Sequence, residues 1–202
     1  MDFISSIVYF IRHGQSEGNI STRHHSWEQV SLTEQGKKDA AMAGRLIKGI
    51  HFDKVYASDL IRTTQTQQIA LPDAQPEVLP LLREVNVGCL LGKEVSDCIA
   101  QYGDKYLQDR KRSDYTDYGG ESKEMLRNRI RQFLTMLEQT DYEKVAVFGH
   151  ATYLFNLARM LTNAPDKDWN LAYCDNGSVA VIEYKSDRWT LVSWNITELN
   201  RE

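Results

Sequence analysis

The sequence predicts an α/β fold: a three-layer α/β/α sandwich with a mainly parallel central sheet and a mostly helical cap insertion. Two observations predict it. Short apolar, strand-like runs alternate with segments of helical period, which is the pattern of a parallel sheet covered by helices. The 202 residues, 42% hydrophobic and 26% charged, suit one globular domain. We therefore expect a single domain over residues 1–202, with the cap inserted at about 88–121.

The first half of the chain supplies two strands and two helices. Ser6–Ile11 is apolar on both faces, which is typical of a buried strand. Residues 14–31 have no clear period and are predicted to be a loop. Apolar residues at helical spacing predict a helix from the N-cap Thr33 to about Lys48. Lys54–Ala57 is a short strand, and Ser58 is expected to cap a helix that runs to about Ile69.

The second half continues the alternation and ends on two strands. Residues 88–121 are polar, broken by glycines, and weakly helical around 94–109. The other predicted elements are a strand at Val78–Leu82, a helix from Ser122 to about Gln139, a strand at Val145–Phe148, a helix at Thr152–Leu161, and strands at Gly177–Tyr184 and Trp189–Trp194 joined by a turn at Ser186-Asp187.

Composition excludes several classes of function. The net charge of −4 gives no global attraction to nucleic acid or to an acidic membrane, so an anionic ligand needs a local cationic cluster. The chain has no stretch of about 18 apolar residues, so we expect no transmembrane helix. The N-terminus lacks a basic segment, which argues against a signal peptide. Cys89, Cys98 and Cys174 are odd in number and widely spaced, which favours reduced thiols in a cytoplasmic protein.

Two histidines follow apolar strands, where ligands bind on parallel sheets. His13 comes just after the first strand, and His150 follows Val145–Phe148 after one glycine. Because parallel strands present their carboxyl ends at one edge, both histidines are expected there. A neutral imidazole can attack phosphorus, and the adjacent Arg12 binds phosphate oxygens and disfavours the imidazolium. Gly14 would let the backbone approach a ligand closely.

Two further groups are expected near the same edge. The segment from Ser58 to Arg62 follows the second strand, and a helix N-terminus there is a ready anion site. Glu84 follows the third apolar run, where a carboxyl group can act as a general acid. Taken singly, Arg62 and Glu84 are typical of ordinary surface residues. Only their combination with His13 makes them candidates for a site.

Six short blocks follow one another along nearly the whole chain. They are Arg12-His13-Gly14-Gln15-Ser16 with Asn19, Leu32-Thr33-Glu34-Gln35-Gly36, Ser58-Asp59-Leu60-Ile61-Arg62, Glu84 with Gly88 and Gly92, Gly120-Glu121-Ser122, and Val147-Phe148-Gly149-His150. On these blocks the chain resembles the histidine phosphatase superfamily, the phosphoglycerate-mutase-like family. Any one block is weak, whereas six in order are highly specific.

The resemblance implies a role for each matching residue. His13 is similar to the nucleophile that becomes phosphohistidine, and Glu84 to the acid that protonates the leaving oxygen and later activates water. The groups that would bind the phosphoryl oxygens are Arg12, Arg62 and His150, with a hydrogen bond from Asn19. Family members need no metal, and we expect no cofactor, because cationic and donor side chains can do what Mg²⁺ does elsewhere. The same cations are expected to keep His13 neutral at pH 7.

The stretch after Glu84 favours hydrolysis over mutase chemistry. The family's cofactor-dependent mutases usually carry Arg-His-Tyr there, whereas this chain has Val85-Asn86-Val87. The resemblance thus implies a metal-independent phosphomonoester hydrolase that acts on a small phosphorylated metabolite. Arg110–Arg112 faintly resembles a basic segment of the mutase cap, and no role is assigned to it. The alternatives are a 2,3-bisphosphoglycerate-dependent phosphoglycerate mutase and a catalytically silent phosphate-binding relative.

Substrate choice is expected to lie in residues 17–30 and 88–121, which would cover the pocket mouth. The candidates for specificity are Gln15, Ser16, Arg23, Arg83 and Ser122. The expected partner is a small phosphomonoester, with no nucleic acid and no membrane, and the protein is expected to be a monomer or homodimer. A metal site at His24-His25 is disfavoured, because adjacent histidines point apart on a strand and no ligand spacing accompanies them.

Overall fold

A six-stranded sheet forms the centre of the computed structural model, which describes residues 5–164 and 173–198. The strands are β1 Ser6–Arg12, β2 Lys54–Ala57, β3 Glu77–Val78, β4 Lys144–Gly149, β5 Val179–Lys185 and β6 Arg188–Ile196. Their spatial order is β3-β2-β4-β1-β5-β6. The first four strands in that order pair in parallel, and β5 and β6 pair antiparallel to their neighbours. The mainly parallel sheet predicted from the sequence is confirmed.

Helices cover both faces of this sheet. They are α1 Glu17–Ile20, α2 Glu34–Leu46, α3 Ile61–Ala70, α4 Val95–Arg112, α5 Lys123–Glu138 and α6 Ala151–Thr162. Because side chains alternate along a strand, β1 contributes to two separate cores. Phe10 packs against Phe133 of α5 with ring centroids 6.2 Å apart, whereas Ile11 belongs to the core that contains Ala43 of α2. The α/β/α layering follows from that alternation.

The parallel register of β1 and β4 brings the two strand-end histidines together. Arg12 lies opposite Gly149, and the His13 N–H donates to the Gly149 carbonyl over 3.0 Å. His13 and His150 therefore leave adjacent strands at the same level, as expected of neighbouring parallel strands.

Gly14 makes a close approach to the backbone of α2. A Cβ on Gly14 would lie 2.1 Å from the carbonyl oxygen of Gly36, so this position has no room for a side chain. The Gly14 N–H donates to Thr66 Oγ1 of α3 over 3.0 Å. The turn after His13 is thus held between α2 and α3.

The predicted cap segment, residues 88–121, is mostly helical. It contains α4 between two short 3₁₀ turns, Gly88–Leu90 and Thr116–Tyr118. Within α4, Gly103 has φ of 59°, which breaks the helix into two parts. The weak helical period predicted for residues 94–109 reflects this interruption.

Four predicted boundaries need correction. The helix expected to begin at Ser58 begins at Ile61, because the buried Ser58 hydroxyl contacts His150 and caps no helix. The strand predicted at Val78–Leu82 is limited to Glu77–Val78, since Pro80 has no N–H for the ladder and opens a 3₁₀ turn. The predicted loop at 14–31 contains α1, and β5 begins two residues later than predicted. By contrast, the N-caps Thr33 and Ser122 are confirmed.

Among the residues described, none of the helices has the length and apolar character needed to cross a membrane.

Candidate active site

A cavity of about 880 Å³ lies beside the carboxyl ends of β1 and β4. Both segments predicted to govern substrate choice contribute to its wall, together with the residues around Glu84 and the start of α6. The lining includes Asn19, Arg23, His24, Ser26, Glu84, Val85, Val87, Glu94, Val95, Ile99, Arg110, Tyr115 and Thr152.

His13 is buried and held as a single neutral tautomer; like Arg12, Arg62 and His150, it is not among the residues that line this cavity. Its Nδ1 lies 2.7 Å from the carbonyl oxygen of Gly14, and a carbonyl only accepts, so Nδ1 carries the proton. Its Nε2 accepts a hydrogen bond from Arg62 Nε at 3.3 Å, which requires a lone pair there. The arrangement leaves Nε2 as the nucleophilic atom of the ring.

Two arginines supply the positive charge around His13. Arg62 lies in the first turn of α3, and its other nitrogens donate to the carbonyl oxygens of Ser26 at 2.7 Å and Glu28 at 3.1 Å. Burial lowers the pKa of Arg62 to about 10, so it stays charged at neutral pH. Arg12 is also buried, and its Nη1 donates to the backbone carbonyl of Cys174. Two fixed guanidinium groups thus flank the nucleophile.

His150 completes the group from the neighbouring strand. Its ring centroid lies 5.2 Å from that of His13, and its Nε2 is 2.9 Å from Ser58 Oγ. The buried Nδ1 of His150 has no hydrogen-bond partner among residues 5–164 and 173–198. That nitrogen is therefore the atom able to bind a phosphoryl oxygen.

Asn19 lies at the rim with its amide oriented by neighbours. Its Oδ1 accepts from the Ser16 N–H at 2.9 Å, from Ser16 Oγ at 3.1 Å and from Asn176 Nδ2 at 3.3 Å. The same Asn176 nitrogen donates to the His13 carbonyl at 2.9 Å. Because the oxygen of Asn19 is used within the protein, its NH₂ group remains as a donor toward the cavity it lines.

Glu84 enters the cavity wall opposite the start of α6. One carboxylate oxygen accepts from the Val85 N–H at 2.8 Å, and the other accepts from the Thr152 N–H at 3.1 Å. The Glu84 backbone carbonyl accepts from Trp27 Nε1 at 2.6 Å. Its negative charge partly offsets the effect of burial, which lowers the pKa of Arg62.

Burial and the two arginines set the protonation state of both histidines. Burial, then Arg62, then Arg12 hold the pKa of His13 well below 6.5, so burial contributes more than the cations on which the sequence-based expectation relied. Burial also holds the pKa of His150 well below that value, with Arg62 the next largest cause.

These lowered pKa values predict a loss of stability on mild acidification. The unfolded chain, in which a histidine has a pKa near 6.5, takes up protons that the folded protein refuses, so the free energy of unfolding falls as pH drops below 6.5. Between pH 7.5 and 5.5 each histidine is expected to contribute about 1 kcal/mol of that loss. Urea denaturation at both pH values should show a smaller loss in His13→Asn than in the unaltered protein, and equal losses would contradict the assignment.

The five candidate specificity residues have unequal positions. Arg23 lines the cavity, where it forms an ion pair with Glu94 at 3.9 Å. The other four have partners elsewhere in the described structure and are not among the lining residues. Gln15 accepts from Thr33, Ser16 donates to Asn19, Arg83 pairs with Asp59 and stacks on Trp27, and Ser122 caps α5.

One cation of the segment Arg110–Arg112 reaches the cavity. Arg110 lines it beside Tyr115 and His24, and the Nε2 of His24 lies 2.6 Å from Tyr106 Oη. Burial, followed by the charge of Arg110, lowers the pKa of His24 to about 4. Since His24 is neutral at pH 7, Arg110 is the charged member of this cluster.

Sequence reasoning missed several groups that hold the site. Ser58, a predicted N-cap, contacts His150 instead, and the contacts of Thr152, Asn176 and Trp27 with the site are not among those predicted from the sequence. Thr152 alone had a local signal, because its N–H lies in the unpaired first turn of a helix that opens at His150. No cluster of three or more His, Cys, Asp or Glu side chains suited to a metal occurs in the part of the chain that the structure describes.

Buried histidines and arginines at the carboxyl edge of a mainly parallel sheet, next to a cavity with a carboxyl group, are typical of a protein that handles phosphoryl groups. Residues 8–197 match the sequence profile of the histidine phosphatase superfamily (branch 1). The chain belongs to that superfamily.

Individual relatives carry two kinds of name. The 2,3-bisphosphoglycerate-dependent phosphoglycerate mutase 1 of Lactobacillus johnsonii is 38% identical over 115 residues, which are 54% of this chain and 50% of that protein. The match thus spans about half the length of that relative. The α-ribazole phosphatase of Shigella flexneri has a TM-score of 0.82 at 24% identity, covering 94% of this chain and 96% of that one. A phosphoglycerate mutase of Bacillus anthracis has a TM-score of 0.81 at 23% identity, covering 96% and 94%. The two structural likenesses show the fold.

Proposed function

We propose that this protein is a metal-independent phosphomonoester hydrolase that acts through a phosphohistidine on a small phosphorylated metabolite. The observation that carries the proposal is the state of His13. The proton on Nδ1 leaves the lone pair on Nε2, which lies 3.3 Å from Arg62 Nε, and the His13 ring packs edge-on against the ring of His150. Such an atom is prepared to attack phosphorus without deprotonation by another group.

The first half of the reaction forms the phosphoenzyme. When substrate binds, the hydrogen bond from Arg62 to His13 Nε2 is released. The lone pair of Nε2 then attacks phosphorus, and the bond from phosphorus to the ester oxygen breaks. Arg12, Arg62 and the free nitrogen of His150 bind the phosphoryl oxygens as charge builds up on them. Glu84 donates a proton to the leaving oxygen, so the product departs as a neutral alcohol.

The second half returns the enzyme to its starting state. The Glu84 carboxylate takes a proton from a water molecule, whose oxygen attacks the phosphorus of the phosphohistidine. The phosphorus–nitrogen bond breaks, its electron pair returns to His13 Nε2, and inorganic phosphate is released. Glu84 is then protonated for the next turnover.

The cavity wall supports hydrolysis over transfer between phosphoglycerates. Val85 and Val87 line the cavity next to the acid, where the mutase pattern places charged and polar residues. These two valines offer no partner for a substrate carboxylate, and the cations of the lining, Arg23 and Arg110, lie on other segments.

A mutase is the second candidate, and two observations favour it. The Lactobacillus johnsonii relative carries that name, and Arg110 lines the cavity as a cation that can hold a second anionic group. A silent phosphate-binding relative is the third possibility, and the same experiment separates all three.

The deciding experiment measures both activities in the presence of EDTA. Phosphate release is followed with 4-nitrophenyl phosphate and with a panel of phosphorylated sugars, acids and nucleotides. Interconversion of 2- and 3-phosphoglycerate is followed with 2,3-bisphosphoglycerate present. We expect phosphate release that resists the chelator and no interconversion. Interconversion without net release would establish the mutase, activity lost with EDTA would contradict the metal-free mechanism, and silence in every assay would identify a non-catalytic relative.

A further inference from the structure

Arg129 of α5 lies behind the stretch of chain that carries Glu84, and all five of its guanidinium N–H groups have partners. Nη1 donates to the carbonyl oxygens of Leu81 at 2.7 Å and Arg83 at 2.9 Å. Nη2 donates to the carbonyl oxygen of Glu84 at 3.3 Å and to Glu121 Oε2 at 2.8 Å. Nε donates to Glu121 Oε1 at 2.7 Å. We call Arg129, Glu121 and these three carbonyls the Arg129 clamp.

Glu121 extends the clamp to the far side of the acid and to the cavity wall. Its Oε2 accepts from the Asn86 N–H at 2.8 Å, and its own N–H donates to the Asn86 carbonyl at 2.9 Å. The Glu121 carbonyl accepts from the N–H of Tyr115, a lining residue, at 2.8 Å. The backbone before and after Glu84 is therefore fixed to one ion pair, which also fixes part of the wall that faces the substrate.

The ion pair of Arg129 and Glu121 is better suited to fixing the position of the backbone around Glu84 than to stabilising the fold. The side chains of Arg129 and Glu121 are only 15% and 10% exposed. A buried ion pair contributes little net stability, because the desolvation of both charges offsets their attraction. A bidentate guanidinium does impose one geometry, which an ammonium cannot reproduce.

We propose that Arg129 and Glu121 are positioning residues that set the place of Glu84 for protonation of the leaving oxygen. The inference rests on the proposed function. The Glu84 carboxylate keeps its bonds to the N–H groups of Val85 and Thr152 only while the backbone at 84–85 stays at a fixed distance from α6. A shift of about 1 Å in such a group can cost as much as 100-fold in rate.

The test compares two esters that differ in their need for an acid. Phenyl phosphate releases a basic phenoxide that must be protonated, whereas 4-nitrophenyl phosphate, nearly the same size, releases a weakly basic anion. The variants are Arg129→Lys and the milder Glu121→Gln. The matched control is the exposed ion pair on the same helix, Arg131 with Glu124 at 2.7 Å, altered as Arg131→Lys and Glu124→Gln.

We expect kcat/KM for phenyl phosphate to fall about tenfold or more in both clamp variants, with less than about a threefold change for 4-nitrophenyl phosphate. The ratio kcat/KM is the quantity compared because it reports formation of the phosphoenzyme, whereas the attack of water, which also uses Glu84, is common to both esters. Both control variants should behave as the unaltered protein does. In a Glu84→Gln background, Arg129→Lys should add no further loss on phenyl phosphate, because the group that it positions is already gone.

Two results would overturn the inference. Equal losses on both esters would show that the pair supports the fold or the whole site rather than the acid. An additive loss in the Glu84→Gln background would show that Arg129 acts on something other than Glu84. Failure of the unaltered protein to hydrolyse either ester would instead refute the proposed function, so the two failures are distinguishable.

Discussion

Replacing His13 with alanine is expected to lower kcat for phosphomonoester hydrolysis by at least about a thousandfold, because loss of a covalent nucleophile removes the only route to the phosphoenzyme. Arg12, Arg62 and His150 would still hold the phosphoryl group, so KM should change much less than kcat. The measurement is steady-state phosphate release in EDTA with a saturating aryl phosphate.

The matched control is His51→Ala, which removes an exposed histidine outside the cavity lining. It should leave kcat unchanged. A His13→Ala variant that folds and retains more than about a tenth of the activity would show that water attacks phosphorus directly or that another group is the nucleophile.

Replacing Glu84 with glutamine is expected to lower kcat for phenyl phosphate by about 100- to 10,000-fold, the usual contribution of a positioned general acid. Glutamine keeps the size and planar shape of the side chain, and its single amide oxygen can accept from one of the two N–H groups, that of Val85 or that of Thr152. The loss should be far smaller for 4-nitrophenyl phosphate, whose leaving group needs no proton, until attack of water becomes rate-limiting.

The dependence on leaving group is what distinguishes an acid from a binding residue. A series of substituted phenyl phosphates should give a steeper decline of rate with leaving-group basicity in Glu84→Gln than in the unaltered protein. If the rates of both proteins declined equally steeply with leaving-group basicity, Glu84 would be assigned to binding or structure. Glu124→Gln, an identical change at an exposed position of α5, should leave the dependence of rate on leaving-group basicity unchanged.

Much of the fold could be predicted because the layers follow from local patterns. Apolar runs define β1 and β4, and the helical periods define α2 and α5 together with their caps Thr33 and Ser122. Prediction failed where a distant contact outweighs the local preference. Ser58 has the chemistry of an N-cap, but its hydroxyl is used by His150, 92 residues away.

The candidate site could be predicted in part for the same reason. His13 and His150 are visible as polar residues at the ends of apolar strands, and the parallel register of β1 and β4 makes them neighbours. Their supporting contacts are not visible, since Asn176 and Arg129 reach the site across large sequence separations. Such contacts depend on how the layers pack, which no short window of sequence records.

The proposed reaction depends on a covalent phosphohistidine at His13. Its most direct test is a rapid-quench experiment with a phosphomonoester labelled with ³²P, stopped in alkali, where a phosphorus–nitrogen bond survives. We expect label to appear on the protein within the first turnover, to be lost on acid treatment, to map to the peptide containing His13, and to be absent in His13→Ala. Steady turnover with no labelled protein, or label on another residue, would contradict it.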